Sequence, residues 1–114
     1  MCMKIDKEDL LRINHGFGGD LRSDSSIDFA IDKQKEAKIG EYKKLAYLWR
    51  AILVDHPFSD GNKRTAVFLG FNFAEQTKKQ VIERELLVHH AVSIAKNNIT
   101  DINIIERRLK NAIN

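Results

Sequence analysis

A chain of 114 residues, 43% of them hydrophobic, fits a single domain over residues 1–114 with a core large enough to stand alone. A formal net charge of only +3, from 19 basic and 16 acidic residues, is too mild to imply nucleic acid or anionic lipid, though small anions such as nucleotide phosphates remain compatible with it. The lone cysteine, Cys2, excludes an internal disulfide or thiolate metal cluster, and no run reaches the roughly 20 apolar residues of a membrane span.

Asp6 opens "DKEDLLRIN" as an N-cap, and Leu10, Leu11 and Ile13 follow, so a short helix is expected there. The opening "MCMKIDKEDLL" turns charged at once, unlike a secretion signal, and the expected location is a reducing cytoplasm. The glycines of "HGFGGD" stop the helix and make a turn. Ser25 stands as a cap for "SSIDFAIDKQKEA", with Asp28 three residues on in a near capping box. From Glu41 to Val54, "EYKKLAYLWRAILV" places Leu45, Leu48, Trp49 and Ile52 on a wide apolar face. Pro57 disfavours helical geometry at His56 and ends that helix.

"TAVFLGFNFA" is apolar almost all round, which predicts the most buried helix, covered on every side. "KKQVI" is too short to assign. "ERELLVHHAVSIAK" brings Leu87, His90, Ala91, Ile94 and Ala95 to one helical face. "TDINIIERRLKNAIN" begins at a Thr100 cap and turns Ile102, Ile105, Leu109 and Ala112 inward. The expected fold is an all-α bundle of about six helices around a buried central motif helix.

Between two of those helices lies "HPFSDGNKRTA", residues His56 to Ala66, which concentrates reactive side chains in an otherwise apolar region. It must run into the first turn of a helix, where unpaired N–H groups and the helix dipole attract anions. Gly61 lets a ligand approach the backbone there, Asn62 and Lys63 belong to the same turn, and Lys63 and Arg64 add positive charge suited to phosphate. Asp60 beside a phosphate calls for a cation, and Mg²⁺ usually joins one or two carboxylates to substrate phosphates. His56, with a reference pKa of about 6.5, can take a proton from an incoming hydroxyl. These parts describe a phosphoryl- or nucleotidyl-transfer site.

The stretch "HPFSDGNKR" resembles the signature of the Fic/Doc (Fido) superfamily, and of its Doc (death-on-curing) branch in particular. The glycine pair of "FGGDLR", a following helix, the motif helix and two closing helices resemble the minimal Fido core in order and size. The resemblance implies a Fido fold acting on a target protein's hydroxyl, with His56 as general base and Asp60 as Mg²⁺ ligand. It makes Phe58 the buried anchor of the loop, Gly61, Asn62 and Lys63 the anion hole, and Arg64 the holder of the outer phosphates. The loop from Gly18 to Ser23 stands where the family has its target-docking flap.

Two departures matter. AMP-transferring Fic proteins carry glycine where this chain has Lys63 and a second arginine where it has Val67, whereas Doc-type proteins carry the lysine. The resemblance therefore implies transfer of the γ-phosphate of ATP to a serine or threonine of a target protein, with a translation factor as the family's example. AMP transfer and a catalytically silent Fido binding module are the alternatives. No inhibitory Fic motif is found, so restraint is expected from a separate antitoxin chain.

Taken singly, Asp60 or Asn62 reads as a helix cap and Lys63 with Arg64 as a solvated helix start; only their spacing beside His56 makes a site. Neighbouring His89 and His90 diverge by about 100° on a helix and cannot easily share a metal ion. His90 reads as a hydrogen-bonded core residue, His15 as an exposed one and Trp49 as core. The basic stretches "DKQKEAK" and "EYKK" read as a solvated face.

Overall fold

In a computed structural model that describes residues 3–114, the chain forms six helices. Cys2 lies outside the described residues. The helices are α1 (Lys7–Gly16), α2 (Ser25–Gln34), α3 (Glu41–Asp55), α4 (Asn62–Gln76), α5 (Arg84–Lys96) and α6 (Ile102–Ala112). Among the described residues no helix is long and apolar enough to cross a membrane. The all-α bundle expected from the periodicity is the fold observed.

Local chemistry explains where the helices start. Asp6 caps α1 by accepting the Asp9 N–H at 2.8 Å, and the Asp9 carboxylate returns a bond to the Asp6 N–H at 3.1 Å. The other two expected caps shift by one residue. Asp24, not Ser25, precedes α2, and the Lys7 ammonium lies 2.8 Å from both the Asp24 and Asp28 carboxylates. Those acids tie α2 to α1 instead of closing a capping box. At α6 the cap is Asp101, whose carboxylate takes the N–H groups of Asn103 and Ile104, and Thr100 stays outside.

The centre of the bundle is α3, not the motif helix, and this corrects the expectation. All of α3 except Asp55 is at least partly shielded, and Leu45, Leu48, Trp49, Ile52 and Leu53 have no exposed surface. It packs against α2, α4, α5 and α6. In α4, Leu69, Gly70, Phe73 and Ala74 turn inward, but Phe68 and Phe71 remain 43% and 39% exposed. Composition made α4 look apolar all round, yet one of its faces has no helix over it. Gly70 allows α5 to come close, since a Cβ there would lie 2.9 Å from Leu87 Cδ2.

The indole of Trp49 joins the two helices that flank the motif, donating from Nε1 to the Ala66 carbonyl at 2.9 Å. Trp49→Phe removes that bond and leaves a small void in the core. Urea unfolding should show a loss of about 2 kcal/mol, seen as a lower midpoint at unchanged slope. "KKQVI" proves to be a tie to the C-terminus. Gln80 and Asn114 exchange backbone bonds of 2.8 Å, and Ile82 donates to the Ala112 carbonyl at 2.9 Å.

On α5, Leu87, Ala91 and Ile94 are buried as expected. His90 is half-buried with Nε2 3.2 Å from Asn111 Oδ1, and burial pushes its pKa down. His89 is exposed.

Candidate active site

The stretch from His56 to Gly61 is a short loop whose two ends both take left-handed backbone. His56 closes α3 at φ 48°, ψ 59°, and Gly61 opens α4 at φ 72°, ψ 16°. Left-handed geometry is natural for glycine and costly for histidine. A Cβ on Gly61 would also meet Phe17 Cβ at 3.0 Å. Between them Pro57 and Phe58 are buried, whereas His56, Ser59 and Asp60 are exposed. Phe58, 2% exposed, packs in the core.

Three sets of bonds hold this loop. Asn62 grips Phe58 from within, its Oδ1 accepting the Phe58 N–H at 3.2 Å and its Nδ2 donating to the Phe58 carbonyl at 3.0 Å. The segment after Gly19 runs alongside in antiparallel fashion, with Leu21 opposite Phe58. Arg22 N–H donates to the Pro57 carbonyl at 2.8 Å, and Ser59 N–H to the Asp20 carbonyl at 2.8 Å. The third support comes from Asn14 on α1, fully buried, whose Nδ2 donates to the Asp60 carbonyl at 2.9 Å and to Thr65 Oγ1 at 3.1 Å.

The first turn of α4 carries no acidic residue, and its cap, Gly61, offers no side chain to its N–H groups. The first helical bond runs from the Thr65 N–H to the Gly61 carbonyl at 2.9 Å. The N–H groups that precede it have no partner within the helix and lie at the positive end of its dipole, beside the exposed Lys63 and Arg64. This is the chemistry of an anion site. The Gly61 N–H itself is engaged at 2.8 Å by Asp60 Oδ1. The Asn62 amide is likewise engaged with Phe58, which uses one of its two Nδ2 hydrogens.

Lys63 and Arg64 also line a groove of about 470 Å³ between α4 and α5, together with Val67, Phe68, Phe71, Arg84 and Val88. A groove of that volume is within the range of small-molecule sites. A larger hollow of about 700 Å³ opens around Met3–Glu8 and the end of α2 and contains none of the motif residues. Among the described residues no three histidine, cysteine or acidic side chains converge to hold a metal. A Mg²⁺ ion, which keeps several waters and shares substrate phosphate oxygens, needs only the exposed Asp60 carboxylate from the protein, so the residues present fit it.

The structure thus gathers His56, Phe58, Asp60, Gly61, Asn62, Lys63 and Arg64 at the junction of α3 and α4. Sequence reasoning missed Asn14 and the pairing of Asp20–Ser23 with the motif loop. The one local signal for Asn14 was its place four residues after Leu10 on the inner face of α1, where an apolar residue would be expected.

No curated protein and no solved structure matches the chain. A model of the Fic/DOC family matches residues 4–74, more than half of the chain, from the start of α1 through most of α4. The motif loop, the helix it opens and the segment paired with it all fall inside that match, and the chain belongs to the Fic/DOC family.

Proposed function

We propose that this chain is an ATP-dependent transferase that moves the γ-phosphate of ATP onto a serine or threonine hydroxyl of another protein. The observation that supports it best is the uncapped, cation-flanked start of α4, one short loop after a histidine held in a strained backbone conformation. In this reading the acceptor oxygen attacks the γ-phosphorus as the bond to the β-bridging oxygen breaks, and ADP departs. His56 takes the hydroxyl proton. The N–H groups of Asn62 and Lys63 and the side chains of Lys63 and Arg64 hold phosphate oxygens, with Phe58 fixing the loop. Bound Mg²⁺ supplies charge neutralisation at the phosphates. Asp60 would be its protein ligand, and the Gly61 N–H that this carboxylate engages here would then be open to a phosphate oxygen.

Lys63 favours phosphate over AMP transfer. It places a charged side chain at the first turn, where a glycine would leave room, and Val67 brings no second arginine to the groove. In this reading the segment Asp20–Ser23, bonded along the motif loop, is part of the flap on which a target's acceptor segment docks. We further propose a cytoplasmic toxin with a translation factor as target, restrained by an antitoxin helix lying in the apolar groove of Phe68, Phe71 and Val88.

The test uses cell extract, the purified protein and ATP labelled at the α or the γ position. Protein-bound label is expected from γ-labelled ATP alone. Retention of the α label instead assigns AMP transfer, and no label from either leaves a binding module. Asp60→Asn should lower the transfer rate at least about 100-fold and weaken its dependence on Mg²⁺ concentration.

A further inference from the structure

Asn14 has no exposed surface and belongs to α1, far in sequence from the stretch that carries the chemistry. Its two Nδ2 hydrogens are spent on acceptors on either side of Gly61: the Asp60 carbonyl at 2.9 Å and Thr65 Oγ1 at 3.1 Å. One amide therefore spans the entry to α4. The Asp60 carbonyl and the Gly61 N–H share a single planar peptide unit, so fixing the carbonyl fixes the direction of the N–H. That same N–H is the one the Asp60 carboxylate engages.

The other end of the amide is unusual. Asn14 Oδ1 is buried without a hydrogen-bond partner and lies against Gly19, where a Cβ would approach it to 2.4 Å. An unpaired buried acceptor is a cost that filling space does not require, since an apolar side chain would fill the site with no polar atom. The amide is explained by what its nitrogen holds.

We infer that Asn14 is a positioning residue that sets the Asp60–Gly61 peptide, and with it the first-turn N–H groups of α4, in the orientation a phosphate needs. Its backbone carbonyl accepts the Gly19 N–H at 3.2 Å, which ties the root of the Gly18–Ser23 loop to the same residue. The inference rests on reading the start of α4 as a phosphate site.

Wild type, Asn14→Leu and Asn14→Asp are compared by thermal melting, amide hydrogen exchange and titration with Mg-ATP below all three melting temperatures. Asn14→Leu, which loses two buried hydrogen bonds, should melt below wild type, bind Mg-ATP at least about tenfold more weakly, and exchange its Thr65 amide faster. Amides deeper in α4 should exchange as in wild type. Asn14→Asp, which keeps the shape but not the donor, should do the same and carries the test if the leucine variant does not fold.

A folded variant with wild-type affinity and a wild-type Thr65 exchange rate overturns the inference. So does loss of the fold in both variants, which would make the amide a structural support. If wild type itself fails to bind Mg-ATP, the phosphate reading falls, and Thr65 exchange still decides whether Asn14 holds this turn.

Discussion

Replacing His56 with glycine should slow transfer by a factor of at least about 100 and leave the folded protein more stable by about 1 kcal/mol. The two effects share one cause. His56 stands at φ 48°, ψ 59°, a left-handed conformation costing a residue with a Cβ about 1–2 kcal/mol. Glycine adopts it freely and returns part of the gain by being more flexible when unfolded. The side chain is exposed, so its removal empties no core space. The exposed ring has no packing role at this position, and in the proposed reaction it takes the hydroxyl proton. Loss of the base should cost a factor of about 100 to 10,000 in rate. Urea melts and γ-phosphate labelling read the two quantities on the same samples, and growth arrest on expression should disappear with the labelling. A glycine variant that still labels its target at the wild-type rate removes His56 from the chemistry.

The helices were legible in the sequence because each carries an apolar face of helical period, and the bundle needs little else. Their starts were less legible. Where Asp24 and Ser25, or Thr100 and Asp101, stand side by side, either residue has the chemistry of a cap. At Asp24 the carboxylate is engaged by Lys7, seventeen positions earlier, which no local pattern reveals. The centre of the fold was misread for a related reason. Periodicity reports how apolar a face is but not which neighbour covers it, and the exposed Phe68 and Phe71 look like core until α5 is seen to leave a groove beside them.

The candidate site divides the same way. His56 through Arg64 could be read as one constellation because they are contiguous. What supports them is not contiguous. Asn14 reaches across 46 and 51 positions to Asp60 and Thr65, and Asp20 reaches 39 positions to Ser59. Spacing also gave no hint that the Asn62 amide would turn to Phe58, or that Asp60 would take its own neighbour's N–H. Residue types announced an anion site; only three dimensions show which of its donors are already spoken for.

Gly19→Ala should be the most destabilising single methyl added near this site, at about 2–3 kcal/mol. Gly19 is not among the residues with positive φ, so the requirement is one of space. A Cβ there would lie 2.3 Å from the Asp60 carbonyl oxygen and 2.4 Å from Asn14 Oδ1, the two partners that fix the entry to α4. One is backbone and the other is held by two hydrogen bonds, so neither can step aside cheaply. Gly16, at the end of α1, has nothing within 4 Å of its virtual Cβ, and Gly16→Ala should be neutral or slightly stabilising. Scanning calorimetry should separate the two alanine variants by on the order of 10 °C. At temperatures where Gly19→Ala is still folded, its γ-phosphate transfer should already be reduced, because relieving the overlap displaces the Asp60–Gly61 peptide. Wild-type melting and transfer in Gly19→Ala would mean that the flap root and the start of α4 move independently, and that the packing between them does not set the geometry of the site.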